Sequence, residues 1–112
     1  VLVIVGKRTF TGYGKKLDAI ATPDVLFGGY AAEEDIPLYY AAADVYATTT
    51  LWEGFDLPII EARACGVSTV AYAIGPHPEV TTSEDILVPA HDLQAFADGL
   101  TTILQRKKQR PL

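Results

Sequence analysis

The sequence predicts an α/β fold with a mostly parallel sheet and helices on both of its faces. Three observations carry that expectation. The run Val1-Leu-Val-Ile-Val5 is continuously apolar and mostly β-branched, the pattern of a strand buried on both faces in a parallel sheet. Short apolar runs of this kind then alternate with helical stretches along the chain, the order that winds strands in parallel. Finally, Leu93, Phe96, Ala97, Leu100, Ile103 and Leu104 recur at helical spacing behind Asp92, a suitable N-cap.

Each element has a local reason. The first strand ends at Gly6, and a glycine-bearing loop over 6–14 leads into a helix through Lys15, Leu17 and Ile20. Asp24-Val-Leu-Phe27 is a second strand, broken by Gly28 and Gly29. Glu33, Glu34, Asp35 and Pro37 stand where a helix should open, since acids suit the positive end of its dipole and proline gives up no needed bond there. Val45-Tyr-Ala-Thr48 is the third strand. Leu57 to Cys65 forms a helix that Gly66 ends, and Ser68–Tyr72 and Ile86–Val88 are the last two strands. Cys65, inside an apolar helical pattern, is expected to be a small buried hydrophobe.

Composition narrows the function. The 112 residues, 49% hydrophobic and 21% charged, suit one soluble globular domain, with no repeat or linker to divide it. No apolar run approaches the ~20 residues of a membrane span, and no secretory leader opens the chain, so the expected compartment is the cytosol. The single cysteine and two well-separated histidines, His77 and His91, lack the paired spacings of structural zinc sites, so no metal is expected. All fourteen acids lie between residues 17 and 105, where Arg63 is the one base. Such a body repels polyanions, which argues against nucleic acid as a ligand. The basic cluster Arg106, Lys107, Lys108 and Arg110 suits the C-terminal end of the last helix.

Ligands of parallel α/β sheets bind beyond the carboxyl ends of the strands, so the loops after strands matter most. The loop over 48–56 is the densest in polar groups and feeds into a helix opening at Leu57-Pro58, where N–H groups and the dipole favour a phosphate. Glu53 in that loop and Glu61 one turn into the helix are separated by seven residues and can face one crevice, accepting hydrogen bonds from sugar hydroxyls. Taken singly, each has a plainer role, Glu53 as a solvated loop acid and Glu61 as a dipole-complementing one.

The stretch from Glu53 through Asp56 and Pro58 to Glu61, continuing to Gly66, closely resembles the E-x7-E signature of glycosyltransferase family 4, or group 1. The flanks 35–44 and 75–80 resemble that family too, and essentially the whole chain aligns with its C-terminal, donor-binding half. The resemblance implies a Rossmann-like, doubly wound domain of the GT-B fold lacking its first strand, as one unit over residues 1–112. It implies a retaining enzyme whose donor substrate is a nucleotide-diphosphate sugar, with no cofactor. Carried over, Glu53 contacts the donor sugar as the catalytic carboxylate, Gly54, Phe55, Asp56 and Leu57 meet sugar and phosphates, and Glu61 holds the ribose. Gly28, Gly29 and Tyr30 fall where the base lodges. Apart from the resemblance, Lys7 and Arg8 leave the first strand on the same sheet edge as the 48–56 loop and are candidate phosphate contacts, their plainer role being that of solvated loop charges. Arg63 stands where methionine is usual and Ser68 where proline is usual, which bears on packing more than on donor contacts.

The resemblance also implies what is missing: the arginine- and lysine-bearing first strand and the N-terminal acceptor-binding half. The isolated chain is then expected to be inactive, and to need that half or a partner chain that supplies it. A lost central strand would leave unpaired edges on Val1–Val5 and Val45–Thr48, which predicts self-association. A non-catalytic nucleotide-sugar-binding or assembly module is the alternative reading. Epimerisation of a sugar nucleotide is a third, less in keeping with E-x7-E.

Overall fold

The computed structural model describes residues 1–6, 12–51, 54 and 56–109. The chain divides into two compact units, Val1–Ile36 and Pro37–Leu112. Both have parallel strands and helices, as expected for the α/β class, and the strands form two sheets of two and three.

The first unit holds β1 (Leu2–Val5), α1 (Gly12–Ile20), β2 (Val25–Gly29) and a 3₁₀ turn at Glu33–Asp35. β1 and β2 run parallel with Leu2 beside Val25 and Ile4 beside Phe27, and the register shifts so that Val5 partners Gly29. Among the described residues no strand pairs with the other edge of β1. The expectation that this strand is buried on both faces is therefore corrected. Leu2, Val3, Ile4 and Val5 are 52%, 46%, 38% and 41% exposed. A parallel strand is buried only when neighbours flank it and helices cover it, and among the described residues β1 has one strand neighbour.

α2 (Ile36–Ala42) leads into the second unit, which contains β3 (Tyr46–Thr48), α3 (Leu57–Ala64), β4 (Thr69–Tyr72), α4 (His77–Val80), β5 (Ile86–Val88) and α5 (Leu93–Gln109). The acids expected at the start of the second helix occupy the 3₁₀ turn instead, one step ahead of α2. β4 is central, parallel to β3 on one side and β5 on the other, and all four of its residues are buried. Alternation along this strand sorts the core. Val70 and Tyr72 face Val88, Phe96 and Ile103, whereas Ala71 faces Ile59 and Val80. α5 and α3 thus cover opposite faces of the three-stranded sheet.

The helix ends follow their sequence signals. Asp92 Oδ1 accepts the Ala95 N–H at 2.9 Å, so Asp92 is the N-cap of α5. At the end of α3, Gly66 takes φ +76°, its N–H reaches Arg63 O and the Val67 N–H reaches Ala62 O, a Schellman closure. Of the α5 stripe, Phe96 and Ile103 are buried, while Leu93 and Leu104 at its ends are exposed. The basic end of that helix ties it down: Lys107 Nζ lies 3.0 Å from Asp44 Oδ1 and donates to Ala43 O. Cys65 is exposed, against expectation. As the C-cap it is carried off the Ile59–Ala62 face, and Val67 beyond the turn takes the buried position instead. α4 occupies part of the 75–80 flank, where the sequence signals predict no helix.

Candidate functional site

α3 organises the polar groups singled out in the 48–61 segment. Its N-cap is Asp56, 2% exposed, whose Oδ1 accepts the Ile59 N–H at 3.4 Å. The same carboxylate meets buried His77: Nε2 lies 2.8 Å from Oδ2. Proline at 58 has no N–H and that of Ile59 goes to Asp56, so neither of these positions offers an open amide to a ligand at this helix end. Leu57 and Gly54 are exposed.

Glu61, one turn further along, is exposed, and its Oε2 accepts a hydrogen bond from the Tyr40 hydroxyl at 3.1 Å. Tyr40, on α2, is half-buried and stacks edge-on against Tyr46 of β3 with ring centroids 5.8 Å apart. Burial, and then the bond to Glu61, push the Tyr40 phenol above its ordinary range, so it stays a neutral donor. The carboxylate keeps Oε1 and its remaining lone pairs for a ligand.

Arg63, where the family pattern has methionine, turns its Nη1 to Val80 O at 3.0 Å and so ties the end of α3 to α4. Gly28, Gly29 and Tyr30 lie in the first unit at the end of β2, with Gly29 at φ +68° and the Tyr30 side chain 78% exposed. Glu53, Phe55, Lys7 and Arg8 lie outside the described residues. Sequence reasoning missed Tyr40 and His77 as partners of this segment, because each lies 21 residues from the carboxylate that it meets.

Parallel strands with helices connecting them give both units the α/β character of a Rossmann-like fold. The family model described as glycosyl transferases group 1 matches residues 1–106, and the chain belongs to that family. It is 34% identical over 84 residues to the O-antigen chain mannosyltransferase B of Escherichia coli, covering 75% of this chain and 22% of that protein. It is 38% identical over 79 residues to the D-inositol 3-phosphate glycosyltransferase of Saccharomonospora viridis, covering 69% of this chain and 18% of the relative. The chain therefore spans about a fifth of the length of these curated relatives. Among solved structures, the sucrose-phosphate synthase of Thermosynechococcus elongatus, a GT-B protein, superposes with a TM-score of 0.79 at 30% identity. That match covers 93% of this chain and 29% of the synthase. Among the described residues no helix is long and apolar enough to cross a membrane.

Proposed function

We infer that this chain is the donor-binding portion of a retaining glycosyltransferase that moves a hexose from a nucleotide-diphosphate sugar to an acceptor. The observation that carries this reading is Glu61, an exposed carboxylate on α3, oriented by Tyr40 and left with free acceptor capacity for a pair of vicinal hydroxyls. Family membership supports the transfer chemistry, and the mannosyltransferase named among the relatives supports a hexose. In this reading Glu61 takes the ribose and Glu53 the donor sugar. Backbone groups of Gly54, Phe55, Asp56 and Leu57 meet sugar and phosphates, Gly28, Gly29 and Tyr30 take the base, and Lys7 and Arg8 add positive charge. Holding an acceptor against the bound sugar supplies about 7–11 kcal/mol of a transfer barrier. That task falls to a further half or a partner chain, so the chain alone binds donor without turning it over.

Calorimetric titration with nucleoside diphosphates tests the assignment. Losing a charge-assisted bond to ribose removes about 1.5–3 kcal/mol, so Glu61→Ala should weaken binding about tenfold or more. Unchanged affinity in a folded variant removes Glu61 from the ribose.

A further inference from the structure

His77 is fully buried, and both of its ring nitrogens face acceptors. Nδ1 lies 2.6 Å from the backbone oxygen of Tyr72, and a carbonyl can only accept, so Nδ1 carries a hydrogen. Nε2 lies 2.8 Å from Asp56 Oδ2. A bond there requires one more proton, either on the ring as an imidazolium facing a carboxylate or on the carboxyl as a donor to the ring's lone pair. In both cases the pair holds one proton beyond a neutral imidazole and a free carboxylate. Without it, two lone pairs would face each other in a buried site.

The pair sits where it can govern α3. Asp56 Oδ1 caps the Ile59 N–H, and Asp56 directly precedes the helix that carries Glu61. His77 opens α4, and the far end of that short helix accepts Arg63 Nη1 through Val80 O. The Thr81 hydroxyl closes α4 by donating to His77 O at 2.7 Å. α4 therefore grips α3 at both ends, through a proton-bridged pair at the start and a guanidinium at the finish.

We propose that His77 is a positioning residue for the donor segment: the proton it shares with Asp56 fixes the Asp56 cap and, through it, the first turn of α3. The part of this proposal that concerns donor affinity rests on the function inferred above. The bridge and the hold on α3 do not.

The test is carried out on the full 112-residue chain. Nitrogen-detected histidine spectra of the wild type should show Nδ1 of His77 protonated and a strongly deshielded proton between Nε2 and Asp56. A ring protonated on Nε2 alone overturns the proposal, whatever any variant does. In His77→Leu, hydrogen exchange of the Ile59 amide should speed up at least about tenfold, the response of a local opening, while α5 amides keep their protection. Asp56→Asn supplies an amide donor to Nε2 in place of the shared proton and keeps a cap oxygen, so it should retain Ile59 protection. Unchanged Ile59 exchange in folded His77→Leu sinks the proposal, as does loss of protection in Asp56→Asn. With nucleoside diphosphate as probe, His77→Leu should bind about tenfold or more weakly, the scale of a misplaced binding group. A wild type that binds no nucleotide while the spectra and exchange behave as stated refutes the inferred function and the affinity link, and leaves the hold on α3 standing. Normal binding by His77→Leu refutes the link to the donor alone.

Discussion

The Tyr40 hydroxyl donates to Glu61 Oε2 at 3.1 Å, joining α2 to the first turns of α3. The tyrosine ring is braced edge-on by Tyr46, so Glu61 is oriented by a side chain that is itself held in place by β3. A carboxylate on an exposed helix face otherwise samples several rotamers, and ordering it in advance reduces what a ligand must restrict on binding.

Tyr40→Phe keeps the ring packing and removes the hydroxyl. We expect a loss of about 0.5–1 kcal/mol in urea denaturation, below the usual range for a bond to a charged group because Glu61 stands in water and is screened. The sign of the pH dependence follows from the raised phenol. Above the ordinary tyrosine value of 10.0 the unfolded chain gives up this proton before the folded chain does. The contribution is therefore fully present below pH 10.0 and is lost as pH rises beyond it. Stability of the wild type should fall more steeply than that of Tyr40→Phe in this alkaline range, and parallel slopes would remove the phenol as the cause.

Glu53 and Glu61 are expected to separate two parts of one ligand. Glu53→Ala should leave nucleoside diphosphate binding intact and weaken the complete nucleotide sugar by about tenfold, since the lost bond reaches only the hexose. Equal losses for both ligands in calorimetry would take Glu53 off the sugar.

Gly99 lies where α5 crosses the sheet, and a Cβ there would stand 3.1 Å from Val70 Cγ1 and 3.2 Å from Ile86 Cγ2. Gly99→Ala sets a gain in helix propensity of about 0.8–1 kcal/mol against crowding of two β-branched side chains, so it should fall within about 1 kcal/mol of the wild type. Gly99→Val adds bulk that this contact cannot absorb and should destabilise by about 1–3 kcal/mol in urea titration. If valine is as stable as alanine, helix and sheet are not in close contact here.

β1 offers an apolar, solvent-exposed strand with one open edge among the described residues. Such an edge templates pairing with another chain, so sedimentation at micromolar concentration should reveal self-association, and Ile4→Lys should reduce it. A wild type that stays monomeric throughout would show that this edge is not sticky in solution.

Much of the secondary structure was legible because its signals are local. Asp92 and Gly66 act within a single turn of chain, so the end of α3 and the start of α5 follow from composition and spacing. The short strands, too, are bounded by glycine, proline and acidic residues. α4 was not legible, since Gly75-Pro76-His77-Pro78 reads as a turn until the ring of His77 is buried against Tyr72 O and Asp56.

The sequence by itself determined the parallel α/β class, the order of the elements, the resemblance to a glycosyltransferase donor domain, and Glu61 as a carboxylate on α3. All of these rest on residue types at short spacings. Only the tertiary structure decided that Tyr40 meets Glu61, that His77 is buried on Asp56, that Cys65 is exposed and that the side chains of β1 are exposed. The first two join residues 21 positions apart, and the last two depend on which faces and edges find a neighbour. Periodicity marks a residue as fit for burial, but what covers it depends on how the helices and strands dock.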